Sequence, residues 1–458
     1  MKIIVSNELQ IFGLRDALFR KIRDTFTLRN PAYDAAEKMG RWTGNLDEYL
    51  RFYTFQDGAV TIPRGALGLL LYFCKGLGIG YQLDDRRRML PEVDFTFDGT
   101  LKGYQQSATA DILSRDFGVL QAPTGSGKTV MALSIIAKRR QPTLIICHTK
   151  ELLSQWVDRI MEFLAIPRAE IGIIGNGKHR IGEQLTVGII NSIYPIAGSL
   201  KNHFGHIVVD ECHRCPSRTF SEAVASFDCR YMLGLSATPY RRDRLTKLIG
   251  WHLGRTIAVN KSDLSENDII QNVEVVVRET AFVTDYDASA EYSQMLSELT
   301  LDSSRNRLIV GDIIKEASNG GGVCLVLSDR KEHCHALQDM LSKQGMNADV
   351  LTGSVCNGER KTIVERLHAG KVKVLIATGQ LIGEGFDCKG LSTLHMACPI
   401  KFSGRLIQYL GRVMRTAPGK DKATIYDYAD SAVPVLAASA RARQRVYRSI
   451  DEDKGENR

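Results

Sequence analysis

From about residue 100 to residue 430, short apolar runs rich in β-branched residues alternate with segments whose apolar residues recur every three or four positions. The runs Phe117–Leu120, Thr143–Cys147, Thr186–Ile190, His206–Val209 and Tyr231–Leu235 have the length and character of buried strands. Between them, segments such as Glu151–Phe163 place Leu152, Trp156, Ile160 and Phe163 on one helical face. That alternation predicts a parallel sheet covered by helices. A second series, Val323–Leu327, Ala348–Leu351, Val372–Ala377, Leu391–Met396 and Ala423–Tyr428, predicts another such sheet, with Lys331–Gln344 among its helices. Between the two series, Gln271–Arg278 reads as a strand, Ala288–Thr300 as a helix and Ser318–Gly322 as a turn.

The first hundred residues follow another rhythm. Leu14, Leu18, Ile22 and Phe26 recur every four positions and mark one helix face, and Arg64–Leu77 reads as a second helix. Tyr49–Phe55 and Ala59–Ile62 flank Asp57-Gly58, a hairpin signal. The expected fold class is α/β, with two parallel-sheet domains in tandem behind a small α+β domain. Expected boundaries are 1–98 for the N-terminal domain, 99–255 and 256–450 for the sheet domains, and 451–458 for a charged tail.

Composition narrows this modestly. A chain of 458 residues exceeds one ordinary core. Hydrophobic residues make up 44% and charged residues 24%, the balance of a soluble globular protein. The longest apolar run, Ala66–Leu71, falls far short of a membrane span. The start, Met1-Lys2-Ile3-Ile4-Val5-Ser6, lacks the apolar stretch of a secretory leader, so the expected location is a cytoplasm, of a bacterial cell or a phage-infected host. The 10 cysteines are scattered, as free thiols in a reducing compartment would be. Cys212 and Cys215 form a C-x-x-C without a second pair at zinc-ribbon spacing and are read as free too. The net charge of +8 mildly favours a polyanionic partner.

Candidate chemistry sits in the first series. Residues 121–129 read Gln-Ala-Pro-Thr-Gly-Ser-Gly-Lys-Thr, between a strand and a helical segment. That is the setting of a phosphate-binding loop. Gly125 and Gly127 let backbone N–H groups turn onto phosphate oxygens, with Pro123, Thr124 and Ser126 completing the cradle. Lys128 carries positive charge to the outer phosphates, and Thr129 offers a hydroxyl to Mg²⁺. Ala122 stands where the general pattern has its first glycine. Asp210 and Glu211 follow the apolar run from His206. Asp210 is placed to hold the metal, and Glu211 to orient or deprotonate the attacking water. ATP and Mg²⁺ are the expected cofactors.

With these motifs in view, the chain resembles the superfamily 2 nucleic-acid helicases, in particular the XPB-like and UvsW-like DNA helicases, over about residues 100–430. The resemblance implies two RecA-like domains. Leu101-Lys-Gly-Tyr-Gln105 is similar to the adenine-reading element, with Gln105 as the base contact. His148–Leu152 through Trp156 is similar to the motif that touches the nucleic-acid backbone, with Thr149 and Lys150 as contacts. Asp210-Glu-Cys-His213 and Ser236-Ala-Thr238 match the next two motifs. Val326-Leu-Ser328, with Arg330, and Ala377-Thr378 resemble nucleic-acid contacts of the second domain. Gly383-Glu-Gly-Phe-Asp387 implies nucleotide contacts by Gly383 and Asp387. Gln408-Tyr-Leu-Gly-Arg412-Val-Met-Arg415 implies catalytic roles for Gln408, Arg412 and Arg415. The two arginines, three apart, share a helix face that can act as an arginine finger. In XPB-like proteins an acidic residue stands where this chain has Arg242.

The N-terminal unit is loosely similar to that of UvsW-like phage helicases. Its Trp42, in Gly40-Arg-Trp-Thr-Gly44, reads either as a base-stacking residue or as a half-buried structural one. Arg86-Arg87-Arg88 and Arg241–Arg244 read either as duplex contacts or as solvated surface. The resemblance implies a monomeric ATP-dependent motor on single-stranded, forked or branched DNA, gripping phosphates without sequence preference. A DEAD-type RNA helicase would carry Asp-Glu-Ala-Asp rather than Asp-Glu-Cys-His. A vestigial ATPase would lack Lys128, Asp210 or Glu211. A restriction-type motor would need a nuclease partner.

Overall fold

The computed structural model describes all residues except 124, 215–217, 238–244, 260–272, 289, 320–321, 380–389, 400–405, 407–408, 411–412, 414–419, 421 and 453–458. The chain divides into two units, Met1–Asp263 and Leu264–Arg458.

The first unit begins with a small module. Its strands are β1 (Lys2–Val5), β2 (Glu8–Phe12), β3 (Thr27–Arg29), β4 (Tyr49–Arg51), β5 (Thr54–Gln56), β6 (Ala59–Pro63) and β7 (Gln82–Asp85). They form a five-stranded sheet of order β5-β6-β2-β1-β7 and a separate β3-β4 ribbon. Helices α1 (Asp16–Thr25), α2 (Pro31–Lys38) and α3 (Leu67–Gly76) complete it. The four-residue repeat does mark a buried stripe, Leu18 and Ile22 of α1 and then Phe26. The Asp57-Gly58 turn also forms, with φ of 52° and 73°, joining β5 to β6. The expected strand Tyr49–Phe55, however, is two strands in different sheets. Phe52 and Tyr53 turn inward between them, and Phe52 N–H donates to the Phe26 carbonyl at 2.8 Å.

This module shares its core with the rest of the unit. Leu248 and Trp251, on the distant helix Lys247–Leu253, lie in the same apolar cluster as Ile3, Ile22 and Phe26. Gly65 sits against the backbone of Trp251, His252 and Gly254, where a Cβ would meet atoms at 2.7 Å. Buried Arg64 donates to the Cys229 carbonyl at 2.8 Å and lies over the Phe117 ring. Within the basic run, Arg87 and Arg88 tie the module to the neighbouring sheet, while Arg86 is exposed. Arg86 pairs with Asp84, Arg87 with Asp85 and Asp116, and Arg88 with Asp228.

The second sheet of the unit has eight strands: β8 (Phe117–Gln121), β9 (Thr143–Cys147), β10 (Gly172–Gly175), β11 (Lys178–Arg180), β12 (Leu185–Ile189), β13 (His206–Val209), β14 (Tyr231–Ser236) and β15 (Thr256–Ala258). Their order is β11-β10-β12-β9-β13-β14-β8-β15, parallel except at β10–β11. The central strands are apolar throughout because helices cover both faces. Helices α4 (Gly103–Leu113), α5 (Lys128–Arg139) and α6 (Lys150–Leu164) pack one side, with Met131, Ile135, Trp156 and Ile160 in the core. Since β9, β13, β14 and β8 are adjacent and parallel, the segments that follow them emerge along one edge.

The second unit contains β16 (Val273–Glu279), β17 (Val323–Leu327), β18 (Asp349–Leu351), β19 (Val374–Ala377), β20 (Leu391–Met396) and β21 (Ala423–Ala429), all parallel, in the order β16-β21-β20-β17-β19-β18. Each unit thus carries one RecA-like parallel sheet, as the alternating pattern leads one to expect. No helix among the described residues is long and apolar enough to cross a membrane.

Candidate nucleotide and nucleic-acid site

The loop between β8 and α5 turns through two glycines of positive φ, 90° at Gly125 and 81° at Gly127. Gly127 is doubly constrained, since a Cβ there would also lie 2.5 Å from the Gln105 amide nitrogen. The loop is tied down from within. Ser126 Oγ donates to the Pro123 carbonyl at 2.7 Å, and the Ser126 carbonyl accepts from Tyr104 Oη at 3.0 Å and Gln105 Nε2 at 2.9 Å. Lys128 Nζ donates to the carbonyls of Ala122 and Pro123 at 3.0 and 3.2 Å. The first turn of α5, with its outward N–H groups, is a ready site for phosphate.

Gln105, expected as a base contact, is buried here. Its Oε1 accepts the Lys102 N–H at 2.9 Å while its Nε2 holds the phosphate loop. In this structure it braces the loop against α4.

Asp210 follows β13 and is buried. Its Oδ1 accepts the Glu211 N–H at 2.9 Å, and its Oδ2 accepts Trp156 Nε1 at 2.9 Å. Burial, and then the neighbouring charge of Glu211, push its carboxyl up to about 6. Glu211 is held at a φ of 49°, a conformation that costs a non-glycine residue about 1–3 kcal/mol and clusters at functional sites. Its Oε2 lies 3.2 Å from His213 Nδ1, which is 3.1 Å from the Ser236 hydroxyl at the end of β14. The acidic segment is therefore joined to the neighbouring strand's end.

The donor set suits Mg²⁺. No cluster of three or more His, Cys, Asp or Glu side chains exists among the described residues. Magnesium needs none, since one or two carboxylates and substrate phosphates ordinarily hold it. Asp210 and the half-buried Thr129 are hard oxygen donors, and two adjacent carboxylates leave negative charge that a divalent cation would neutralise.

After β9, Thr149 caps α6, accepting the Leu152 N–H at 3.3 Å, which leaves its own hydroxyl proton to donate. Lys150 is exposed in the first turn. In the second unit, Ser328 and Thr378 follow the paired strands β17 and β19. Ser328, expected as a nucleic-acid contact, is held within the second unit here. It is 1% exposed, and its hydroxyl bonds His333 Nδ1 at 2.9 Å and the Arg330 N–H at 3.2 Å. Arg330 is half-buried and donates to the Ser293 hydroxyl at 2.9 Å, while Thr378 is half-buried. Trp42 is 75% exposed, which removes the half-buried reading. Thr124, Gly383, Asp387, Gln408, Arg412 and Arg415 lie outside the described residues, as do Arg241–Arg244. Sequence reasoning missed the Trp156–Asp210 bond, since Trp156 reads simply as a core position of a helix.

Two family models match the chain: "Type III restriction enzyme, res subunit" over residues 98–241, and "Helicase conserved C-terminal domain" over residues 306–417. A probable helicase of Escherichia phage T5 is 28% identical over 387 residues, covering 81% of this chain and 80% of its own. The DNA 3'-5' translocase XPB2 of Sulfurisphaera tokodaii is 38% identical over 143 residues, 31% of this chain and 32% of its own. Among solved structures, S. cerevisiae Dbp5 bound to RNA and ADP BeF3 aligns with a TM-score of 0.54 at 14% identity, covering 74% of this chain and 91% of that one. This last likeness concerns the fold alone.

Proposed function

Since the chain belongs to the superfamily 2 helicases and so hydrolyses nucleoside triphosphate, we propose that it falls in their XPB-like and UvsW-like branch and couples ATP hydrolysis to unwinding or branch migration of forked or branched DNA. The observation that carries the site reading is the shared edge of the first unit's sheet. The phosphate loop follows β8, the α6 cap follows β9, the acidic pair follows β13 and Ser236 ends β14. Nucleotide at the first and a nucleic-acid backbone at the second would then act on one edge of the same sheet, with the acidic pair and Ser236 on the two strands between them.

In this reading Lys128 leaves its carbonyl partners for the outer phosphates. Glu211 orients the attacking water and takes its proton. Thr129 and Asp210 would hold Mg²⁺, which neutralises phosphate charge when bound. Gln408, Arg412 and Arg415 are proposed from the sequence to meet the γ-phosphate, and Gly383 and Asp387 the nucleotide. Thr149, Lys150, Arg330 and Thr378 grip phosphates, which gives motion without sequence preference.

DNA is favoured over RNA by Asp-Glu-Cys-His in place of Asp-Glu-Ala-Asp and by the similarity to a DNA translocase. The small module presents exposed aromatic rings, Trp42, Phe55 and Tyr72 among them, on which unpaired bases could stack. The test is the ATPase rate with single-stranded DNA, duplex, fork, four-way junction and RNA. Strongest stimulation by fork or junction is expected; stimulation by RNA alone would favour an RNA helicase instead.

A further inference from the structure

We propose that Trp156 is a positioning residue for Asp210, and that α6 thereby links nucleic-acid contact to the metal-binding carboxylate. The inference rests on the reading of Asp210 as a magnesium ligand and of the start of α6 as a backbone contact. Its physical basis is one buried hydrogen bond. Trp156 Nε1 donates to Asp210 Oδ2 at 2.9 Å, with Trp156 only 2% exposed. An indole has a single N–H, so this bond uses its whole donor capacity. The opposite oxygen of Asp210 is held by the Glu211 N–H. The carboxylate is thus gripped from both sides, by its own backbone and by a helix from elsewhere in the sheet's cover. Each oxygen keeps a lone pair for a cation or its water.

The helix gives the bond its second meaning. Thr149 caps α6, and Trp156 lies seven residues beyond it, two turns on and on nearly the same face, about 10 Å along the axis. Leu153, Val157 and Ile160 pack with Trp156 in the core, so a displacement of α6 would carry the indole with it. Phosphate drawn to the first turn of α6, by its N–H groups and Lys150, would shift the indole and with it the orientation of Asp210. Hydrogen-bonded partners of metal ligands fix ligand orientation, and their loss weakens metal binding roughly 10- to 100-fold.

Trp156→Phe removes the N–H and keeps an aromatic ring. Expected results are a rise of about tenfold or more in the Mg²⁺ concentration for half-maximal ATPase, weaker binding of ADP with Mg²⁺ but unchanged binding of ADP in chelator, and diminished stimulation by single-stranded DNA. A core-packing role alone would leave the first two unmoved. A second measurement needs only the wild-type protein. With ¹⁵N-labelled tryptophan, the chain gives three indole resonances. The Trp156 signal should shift when single-stranded DNA is added without nucleotide. An unmoved Trp156 resonance together with a wild-type magnesium requirement in Trp156→Phe would overturn the proposal; if that variant does not fold, the unmoved resonance alone does so. Asp210→Asn separates the two readings: if it keeps magnesium-dependent hydrolysis, the metal assignment itself is wrong. If it is inactive while Trp156→Phe behaves as wild type, only the role of Trp156 fails.

Discussion

Trp251→Ala should destabilise the first unit severely, although Trp251 is not among the expected catalytic residues. The side chain is 5% exposed and packs against Phe26 and Phe52, with ring centroids 4.7 and 5.5 Å away. Burying about 200 Å² of indole at about 25 cal/mol per Å² is worth about 5 kcal/mol. Measured Trp→Ala substitutions in cores run about 3–5 kcal/mol, since partial collapse of the cavity recovers some of the loss. About 4 kcal/mol is therefore expected. For a unit of 263 residues that corresponds to a fall of roughly 8–16 °C in Tm. The assay is thermal and urea unfolding followed by far-ultraviolet circular dichroism. Tyr72→Ala, at a residue 72% exposed on the same module, is the control and should change stability by less than about 0.5 kcal/mol. A loss below about 1 kcal/mol for Trp251→Ala would mean that the N-terminal module is not packed on this helix.

Glu211→Gln should bind ATP normally, lose turnover, and stay on DNA in a long-lived complex; hydrolysis at the wild-type rate would show that the acidic pair is misassigned. Trp42→Ala should weaken fork binding by about 5- to 100-fold, the worth of one stacked base, and leave basal ATPase unchanged; equal affinity in a fluorescence-anisotropy titration would remove the stacking role. Acid should destabilise the chain. Burial holds His252 down to about 4, His333 and His395 to about 3, and His206 well below its ordinary value, so the folded chain stays unprotonated where the unfolded chain takes up protons. Stability should therefore fall as pH drops from about 6.5 toward 4, and a urea midpoint constant over that range would contradict it.

The strands carrying the candidate site were legible because a buried parallel strand is a continuous apolar run. Thr143–Cys147, His206–Val209, Val323–Leu327 and Leu391–Met396 occur with the boundaries the pattern suggests. Glycine positions were legible too, since the phosphate loop needs positive φ at Gly125 and Gly127. What escaped depends on partners distant in the chain. Arg87 and Arg88 read as surface charge until Asp116 and Asp228 meet them. The hydrogen bond between Ser328 and His333 has no signature in the sequence either. The small module reads as self-contained, yet its core is completed by Leu248 and Trp251, and removing residues 1–98 would uncover both. The bond between Trp156 and Asp210 spans 54 positions, and no periodicity announces it.

Strand separation on a synthetic fork, followed by fluorescence as the purified chain is mixed with ATP and Mg²⁺, decides whether this chain is a DNA motor. The wild type should show ATP-dependent separation or branch migration, abolished in Lys128→Ala and Glu211→Gln, and indifferent to base sequence. A chain that hydrolyses ATP but moves no strand of fork or junction, or separates RNA duplexes alone, would contradict that reading.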